Sequence, residues 1–161
     1  MADEQDLRWM RAALSMARRA VGRTAPNPAV GCVIVKDGAA LGRGFTQPSG
    51  RPHAETVALA QAEALFGPGA ARGATAYVTL EPCAHHGKTP PCTEALIEAG
   101  IGRVVVGCED PDGRVSGGGI ERLKSAGIAV TVNLLQAEAE ELNAGFIQRE
   151  TAGRPLVTLK T

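Results

Sequence analysis

The sequence predicts an α/β domain in which a mixed five-stranded sheet lies between two layers of helices. From residue 53 onward, apolar runs that suit buried strands alternate with segments of helical periodicity, which is typical of parallel strands joined by helical crossovers. Before that point, two apolar runs flank Lys36-Asp37-Gly38, a hairpin turn signal that makes the sheet mixed. A chain of 161 residues, 44% of them hydrophobic, is long enough to bury one such core.

The first half of the chain is expected to form a helix, a hairpin and a second helix. The continuous apolar run from Val30 to Val35 predicts a buried strand, and Leu41 to Phe45 its hairpin partner. Residues 53–65 are alanine-rich and apolar on several sides, which favours a helix packed between layers. Residues 3–21 predict a helix with one apolar stripe, formed by Met10, Ala13, Leu14, Ala17 and Val21.

In the second half, strands and helices alternate. Strands are expected at 75–80, 104–106 and 128–132, and helices at 93–99 and 118–126. A final helix is expected over about 135–149, with Leu135, Ala139, Leu142 and Phe146 on one stripe. Residues 154–160 predict one more strand.

Composition excludes several classes of function. Lys plus Arg and Asp plus Glu number 17 each and aromatic residues make up 3%, so neither nucleic acid nor an anionic membrane is an expected partner. No apolar run approaches the roughly 20 residues that span a bilayer. The acidic N-terminus does not resemble a signal peptide, and we expect a cytoplasmic location. In that reducing compartment, the four cysteines favour metal binding or catalysis over disulfides.

The segment from Glu81 to Cys92 concentrates reactive side chains. Its twelve residues include two cysteines, two histidines, one lysine and three prolines. Pro90-Pro91 excludes a helix or strand interior, so the segment is predicted to be a loop between the strand at 75–80 and the helix at 93–99. Loops held by a rigid scaffold are a common place for catalysis.

His53, Cys83 and Cys92 are the candidate metal ligands. One imidazole and two thiolates suit a single zinc ion that keeps its fourth position open for water. Glu55 follows His53 by two residues and is not expected to ligate the same metal, because residues i and i+2 do not share a helix face. At a helix start it can still reach a metal-bound water and act as general base and then general acid.

Other interpretations remain open at this point. A fourth ligand, His85 or His86, would close the zinc site and make it structural. Glu55 could serve only as a negative charge at the start of its helix. Cys32 and Cys108 lie in apolar strands and are interpreted as small buried hydrophobic residues.

The motifs resemble one family. His53-Ala-Glu55 followed by Pro82-Cys83 fits the zinc deaminase signature, except that eight residues, rather than two, separate Cys83 from Cys92. The long-spaced loop resembles the riboflavin-pathway diaminohydroxyphosphoribosylaminopyrimidine deaminases, a branch of the cytidine and deoxycytidylate deaminase superfamily. The resemblance covers nearly the whole chain and includes Thr24 to Pro28, Val30 to Val35, Pro52 to Glu55, Asp110-Pro111, Gly117 to Gly119 and Leu142 to Phe146.

The resemblance implies a three-layer, cytidine-deaminase-like fold and a reaction. The substrate would be a diaminopyrimidinone that carries a ribosylamino 5′-phosphate, and zinc-dependent hydrolysis would remove its ring 2-amino group as ammonia, with Glu55 carrying the proton. Two positions depart from the common form: Thr46 where many members have histidine, and Asp112-Gly113 where many have Asn-Pro. The substrate-binding residues implied are Asn27, His85, Lys88, Thr89, Asp110 and Asp112.

The resemblance also implies how the chain is divided. Residues 1–150 would form the deaminase domain, and 151–161 a tail that resembles the opening of a following reductase domain. That reductase would use a nicotinamide cofactor, but no NADP is expected on this chain because it has no dinucleotide-binding fingerprint. A homo-oligomer is expected. The rival functions are a nucleoside, nucleotide or transfer-RNA deaminase, and a non-catalytic zinc-binding module.

Overall fold

The computed structural model describes residues 2–114 and 116–160. The helices within this part of the chain are α1 (Glu4–Arg18), α2 (Ala54–Phe66), α3 (Cys92–Glu98), α4 (Gly118–Ser125), α5 (Gln136–Leu142) and α6 (Ala144–Ala152). The strands are β1 (Gly31–Lys36), β2 (Ala39–Phe45), β3 (Thr75–Leu80), β4 (Arg103–Cys108) and β5 (Ala129–Thr131).

The strands form one mixed sheet in the order β2-β1-β3-β4-β5. β1 pairs antiparallel with both β2 and β3, whereas β3, β4 and β5 run parallel. β1, β3 and β4 are almost entirely buried because helices cover both faces. The predicted α/β class, the hairpin and the five-stranded mixed sheet are therefore confirmed.

Helices pack on both faces of this sheet, so that the domain has three layers: helices, sheet and helices. α1 contacts β1, β3 and α5, while α2 contacts β1, β2 and α3, and α3 in turn contacts α4. The α2 layer lies unusually close to β2 because Gly42 and Gly44 have no side chain. A Cβ on Gly42 would lie 2.0 Å from the carbonyl oxygen of Ala58, and one on Gly44 would lie 2.4 Å from that of Ala54. The alanines of α2 allow the same close approach.

The topology brings four loops to one edge of the sheet. β3 and β4 end at this edge because they are parallel, and β1 begins there because it is antiparallel to β3. Gly31 of β1 pairs with Phe45 of β2, so the end of β2 lies at the same edge. The loops 24–30, 46–53 and 81–91 and the segment 109–114 therefore meet, and open α/β sheets bind ligands at such an edge.

The predicted helix over 135–149 is wrong in one respect, because it is two helices. The chain breaks at Asn143, between α5 and α6. The Asn143 side chain, 5% exposed, accepts a hydrogen bond from the N–H of Ala29 at 2.9 Å and donates one to its carbonyl oxygen at 2.7 Å. This tertiary contact fixes the break between α5 and α6 against the loop 24–30, which leads into β1.

Two further expectations from the pattern are wrong. α1 ends at Arg18, so Val21 lies beyond the helix and is 50% exposed. Residues 154–160 do not form a strand in the described structure, and they lie exposed outside the sheet. Among the described residues, no helix combines the length and apolar character that would let it cross a membrane.

Candidate active site

His53, Cys83 and Cys92 form a cluster at the edge of the sheet where the four loops meet. His53 is the residue that precedes the first turn of α2, Cys83 follows the end of β3, and Cys92 begins α3. Their potential ligand atoms all lie within 4.8 Å of one another. The His53 Nδ1 atom is 3.2 Å from the sulfur of Cys92 and 3.9 Å from that of Cys83.

These separations fit a tetrahedral zinc ion. Zinc binds sulfur at about 2.3 Å and imidazole nitrogen at about 2.0–2.1 Å, which places tetrahedral ligands roughly 3.6–3.8 Å apart. The observed distances of 3.2 and 3.9 Å lie on either side of this value. The cluster has three residues within the described part of the chain, and three protein ligands are typical of catalytic zinc sites. His85 and His86 are both exposed.

The local environment favours the thiolate form of Cys83. The backbone N–H of Cys92 donates to the Cys83 sulfur at 3.3 Å. A hydrogen bond from the Cys92 thiol, together with those from His53 and this N–H, lowers the pKa of Cys83 to about 4 against the opposing effect of burial. A thiolate is the form that binds zinc. The same contact with Cys83 raises the pKa of His53.

Glu55 lies in the first turn of α2 and is 3% exposed. Burial, reinforced by the negative charge on Cys83, raises its pKa to about 7. A carboxyl group with a pKa near neutrality is suited to accept and return a proton at physiological pH. This pKa and this burial beside His53 are those that a general acid–base would need, and the catalytic role of Glu55 stays a prediction.

A cavity of about 470 Å³ opens beside this cluster. His53, Glu55 and Cys83 form part of its wall, and the loops at the sheet edge supply the rest. A cavity of this size suits a small molecule of nucleotide-like dimensions. The other residues that line it are Pro26, Asn27, Pro28, Val30, Thr46, Arg51, Leu80, Glu81, His85, Asp110, Asp112, Phe146, Arg149 and Glu150.

Four of the six predicted substrate-binding residues line the cavity: Asn27, His85, Asp110 and Asp112. The Asn27 side chain donates to the carbonyl oxygen of Gly50 at 2.9 Å, which ties its loop to the segment before α2. Asp110 is half-buried, and burial raises its pKa.

The oxygens of the Asp112 carboxylate accept hydrogen bonds from the Arg114 guanidinium, which holds the pKa of Asp112 at about 2. Asp112 is therefore also a turn residue, and the substrate role of all four cavity-lining residues stays a prediction.

Lys88 and Thr89 occupy a different position. Both are exposed on the long cysteine loop, and neither is among the described residues that line the cavity. Thr89 is linked to the cavity wall through Arg51, whose guanidinium donates to the Thr89 hydroxyl at 2.6 Å. Their predicted contact with the phosphoribosyl group would therefore be made at the rim of the cavity.

Several charged residues of the cavity wall were not predicted from the sequence, among them Arg51, Glu81 and Arg149. Arg51 precedes Pro52-His53, and its place between two motifs was the only signal for it. Glu81 opens the cysteine loop, but its partners lie on other elements. Arg149 lines the cavity from α6 and donates to the carbonyl oxygen of Pro26. Its place in the cavity wall depends on how α6 packs, which the sequence does not show.

Thr46 is buried, and its role is local. Its hydroxyl accepts a hydrogen bond from the N–H of Val30 at 3.0 Å, and its own N–H donates to the Val30 carbonyl oxygen at 3.0 Å. It extends the β1–β2 pairing by one step and lines the cavity. The departure at this position therefore leaves the sheet edge well ordered.

A buried carboxylate beside a His/Cys/Cys cluster, at the loop edge of an α/β/α domain, is the arrangement of a metal-dependent hydrolase site. Residues 3–108 match the model of the cytidine and deoxycytidylate deaminase zinc-binding region. The chain belongs to this family, and zinc is the metal that the family implies.

Within the family, the chain is similar to riboflavin biosynthesis proteins. It is 53% identical over 156 residues to riboflavin biosynthesis protein RibD of Escherichia coli K12, which covers 97% of this chain and 41% of that protein. It thus spans about two fifths of the length of that relative. The structure of RibD from Acinetobacter baumannii superimposes with a TM-score of 0.88 at 49% identity, covering 94% of this chain and 42% of that one.

A third relative has a more specific name. The structure of a diaminohydroxyphosphoribosylaminopyrimidine deaminase/5-amino-6-(5-phosphoribosylamino)uracil reductase from Thermotoga maritima also superimposes with a TM-score of 0.88, at 45% identity. The match covers 94% of this chain and 42% of that one. The similar region therefore includes almost all of this chain but less than half of the relative.

Proposed function

We propose that the chain catalyses the hydrolytic deamination of 2,5-diamino-6-ribosylamino-4(3H)-pyrimidinone 5′-phosphate in riboflavin biosynthesis, with release of ammonia. The observation that carries this proposal is that buried Glu55, His53 and Cys83 line one cavity. The names and similarity of the RibD proteins support the choice of substrate. The expected substrate-binding residues Asn27 and Asp110 line the same cavity.

The reaction replaces one substituent of the pyrimidine ring and leaves the ring bonds intact. A C–O bond forms at the carbon that carries the 2-amino group, and the C–N bond to that group breaks. His53, Cys83 and Cys92 would hold a zinc ion, which supplies a water molecule acidified to a pKa near 7. Glu55 takes one proton from the attacking water and returns it to the leaving nitrogen, and the second water proton passes to the adjacent ring nitrogen, so that ammonia departs and the ring carbonyl remains.

Glu55→Gln tests this assignment. We expect kcat/KM to fall by about 10³-fold, within the range for loss of a general acid–base, because glutamine cannot carry the proton. Zinc content should remain at one per chain, because Glu55 is not in the ligand cluster. The matched control is Glu63→Gln, an exposed glutamate on the same helix, which should leave turnover unchanged. Full activity of the Glu55 variant would refute the mechanism.

The choice of substrate needs a separate measurement. Ammonia release should be measured with the ribosylamino pyrimidine phosphate, cytidine, deoxycytidylate and transfer-RNA adenosine. Turnover of only the first is expected. Turnover of cytidine, deoxycytidylate or transfer RNA, with none of the first, would transfer the chain to another branch of the family. Zinc binding with no turnover of any of them would indicate a non-catalytic zinc module.

We further propose that residues 1–150 act as the deaminase domain and that 151–161 form the start of a connection to a reductase partner. The length of the relatives supports this division, since the chain covers 41% of the Escherichia coli protein. The 161-residue chain alone should not oxidise NADPH in the presence of the deaminated product, and oxidation would contradict the division. We also propose self-association, which a single monomeric mass in light scattering across concentrations would contradict.

A further inference from the structure

Glu81 makes an unusual set of contacts for a buried carboxylate. Its side chain is 6% exposed, and each oxygen accepts two backbone N–H groups. Oε1 lies 3.0 Å from the nitrogens of both Asp110 and Gly117. Oε2 lies 2.9 Å from the nitrogen of Gly119 and 3.3 Å from that of Ile120. One side chain thus joins the end of β3 to the loop after β4 and to the start of α4.

These contacts account for one glycine of the run at 117–119. The first N–H groups of a helix have no partner within the helix, and a carboxylate at that end is favourable. Here the carboxylate is Glu81, so these N–H groups are already engaged. Gly119 is required for the contact, because a Cβ there would lie 2.0 Å from the carbonyl oxygen of Pro82.

The same contacts connect Glu81 to the cavity. Asp110, whose N–H it accepts, lines the cavity, and the Asp110 carboxylate accepts the N–H of Asp112 at 2.9 Å. The N–H of Glu81 donates to the carbonyl oxygen of Cys108 at 2.9 Å, so the end of β3 is also tied to β4. Cys83 follows two residues later. Displacement of Glu81 would therefore move Asp110 relative to the metal ligands.

We infer that Glu81 is a positioning residue for substrate binding, which acts through Asp110 by fixing the loop after β4 against the cysteine loop. The inference rests on the proposed function, because it assigns the effect to binding of the pyrimidine phosphate. Glu81 is not a catalytic residue, since its oxygens are occupied by four backbone donors.

Glu81→Gln is the primary variant. Glutamine has nearly the same shape, but its amide nitrogen is a donor and would face two backbone N–H groups. We expect KM for the pyrimidine phosphate to rise about tenfold, as loss of one hydrogen bond to a charged group would produce, while kcat stays within about threefold. Zinc content should be unchanged. An unchanged KM would overturn the inference.

Two comparisons separate positioning from a general loss of stability. Asp6 is the matched control, because it is also a buried carboxylate but is held by Tyr77 and Arg103, away from the loop edge. Asp6→Asn should lower the melting temperature without changing KM. In an Asp110→Ala background, Glu81→Gln should raise KM less than twofold further, because the residue through which it acts is gone. Independent, multiplying effects on KM would contradict action through Asp110.

Amide hydrogen exchange tests the inference without turnover. Absence of turnover by the unmodified chain would refute the proposed function, and exchange would then decide the role of Glu81 by itself. The amides of Asp110, Gly117, Gly119 and Ile120 should exchange at least about tenfold faster in Glu81→Gln than in Asp6→Asn. Equal exchange in the two variants would overturn the inference.

If Glu81→Gln fails to fold, Gly119→Ala provides the same test. Its methyl group would press on the Pro82 carbonyl oxygen and separate α4 from the cysteine loop while the carboxylate is kept. It should raise KM and accelerate exchange of the same amides. A normal KM with normal exchange would overturn the inference.

Discussion

Asn143→Ala should destabilise the domain by an amount that the structure allows us to calculate. Asn143 makes two hydrogen bonds to the backbone of Ala29, at 2.9 and 2.7 Å, and both residues are 5% exposed. Alanine would leave the N–H and the carbonyl of Ala29 buried without partners. Each such group costs about 1–3 kcal/mol, and we take roughly 3 kcal/mol for the pair.

The measurement is the free energy of unfolding from urea titration of the metal-loaded chain, supported by the melting temperature. A loss of about 3 kcal/mol corresponds to a decrease of roughly 6–12 °C for a domain of this size. Gln61→Ala is the matched control, because Gln61 also accepts a backbone N–H, that of Arg43 at 2.7 Å, but at an exposed position. The control should lose less than about 0.5 kcal/mol.

A loss below about 1 kcal/mol in Asn143→Ala would refute the reasoning. It would mean that the Ala29 groups find other partners when the amide is removed, so that the contact does not hold the helix break to the sheet. A loss equal to that of the Gln61 control would lead to the same conclusion. The expected difference between the two variants reflects burial and the number of backbone bonds, since Asn143 makes two such bonds at a buried position and Gln61 one at an exposed position.

Two further predictions concern charge. The Arg103 guanidinium and the Tyr77 hydroxyl lower the pKa of Asp6. The stabilisation by the Asp6 carboxylate should therefore be complete above its unfolded pKa of about 3.9 and be lost as pH falls through the lower folded value. The unfolding free energies of the parent chain and Asp6→Asn should converge toward pH 3, and a constant difference from pH 7 to 3 would contradict this. Arg51 lines the cavity and donates a hydrogen bond to Thr89. Arg51→Gln should therefore raise KM for the phosphorylated substrate about tenfold with kcat little changed, whereas Arg11→Gln, at an exposed position, should leave KM unchanged. Equal KM values for the two variants would exclude Arg51 from substrate binding.

The cysteine loop shows how much of the site could be predicted from sequence. The ligand types of His53, Cys83 and Cys92 are local chemical properties, and the loop between a strand and a helix follows from the two prolines. The structure brings the three residues within 4.8 Å. Glu55 was found for the same reason, since its place two residues after His53 can be seen in the sequence.

The partners of Glu81 could not be found in this way. Its four donors lie 29 to 39 residues further along the chain. Which backbone N–H groups meet a carboxylate depends on how β4 and α4 are placed against β3, and hydrophobic periodicity carries no such information. The place of Arg51 and Arg149 in the cavity wall could not be predicted either, because loop conformation and helix placement decide where a long side chain ends.

The sequence by itself determined the α/β class, the mixed sheet and the metal-binding chemistry, because strand burial, turn residues and ligand types are properties of short segments. Only the tertiary structure decided the break at Asn143, which periodicity cannot show since Leu142 and Phe146 continue one stripe across it. It also decided that 154–160 lie outside the sheet, although their composition favours a strand. Hydrogen-bonding partners more than a hundred residues apart, such as Asn143 and Ala29, exist only once the sheet has brought its loops to one edge.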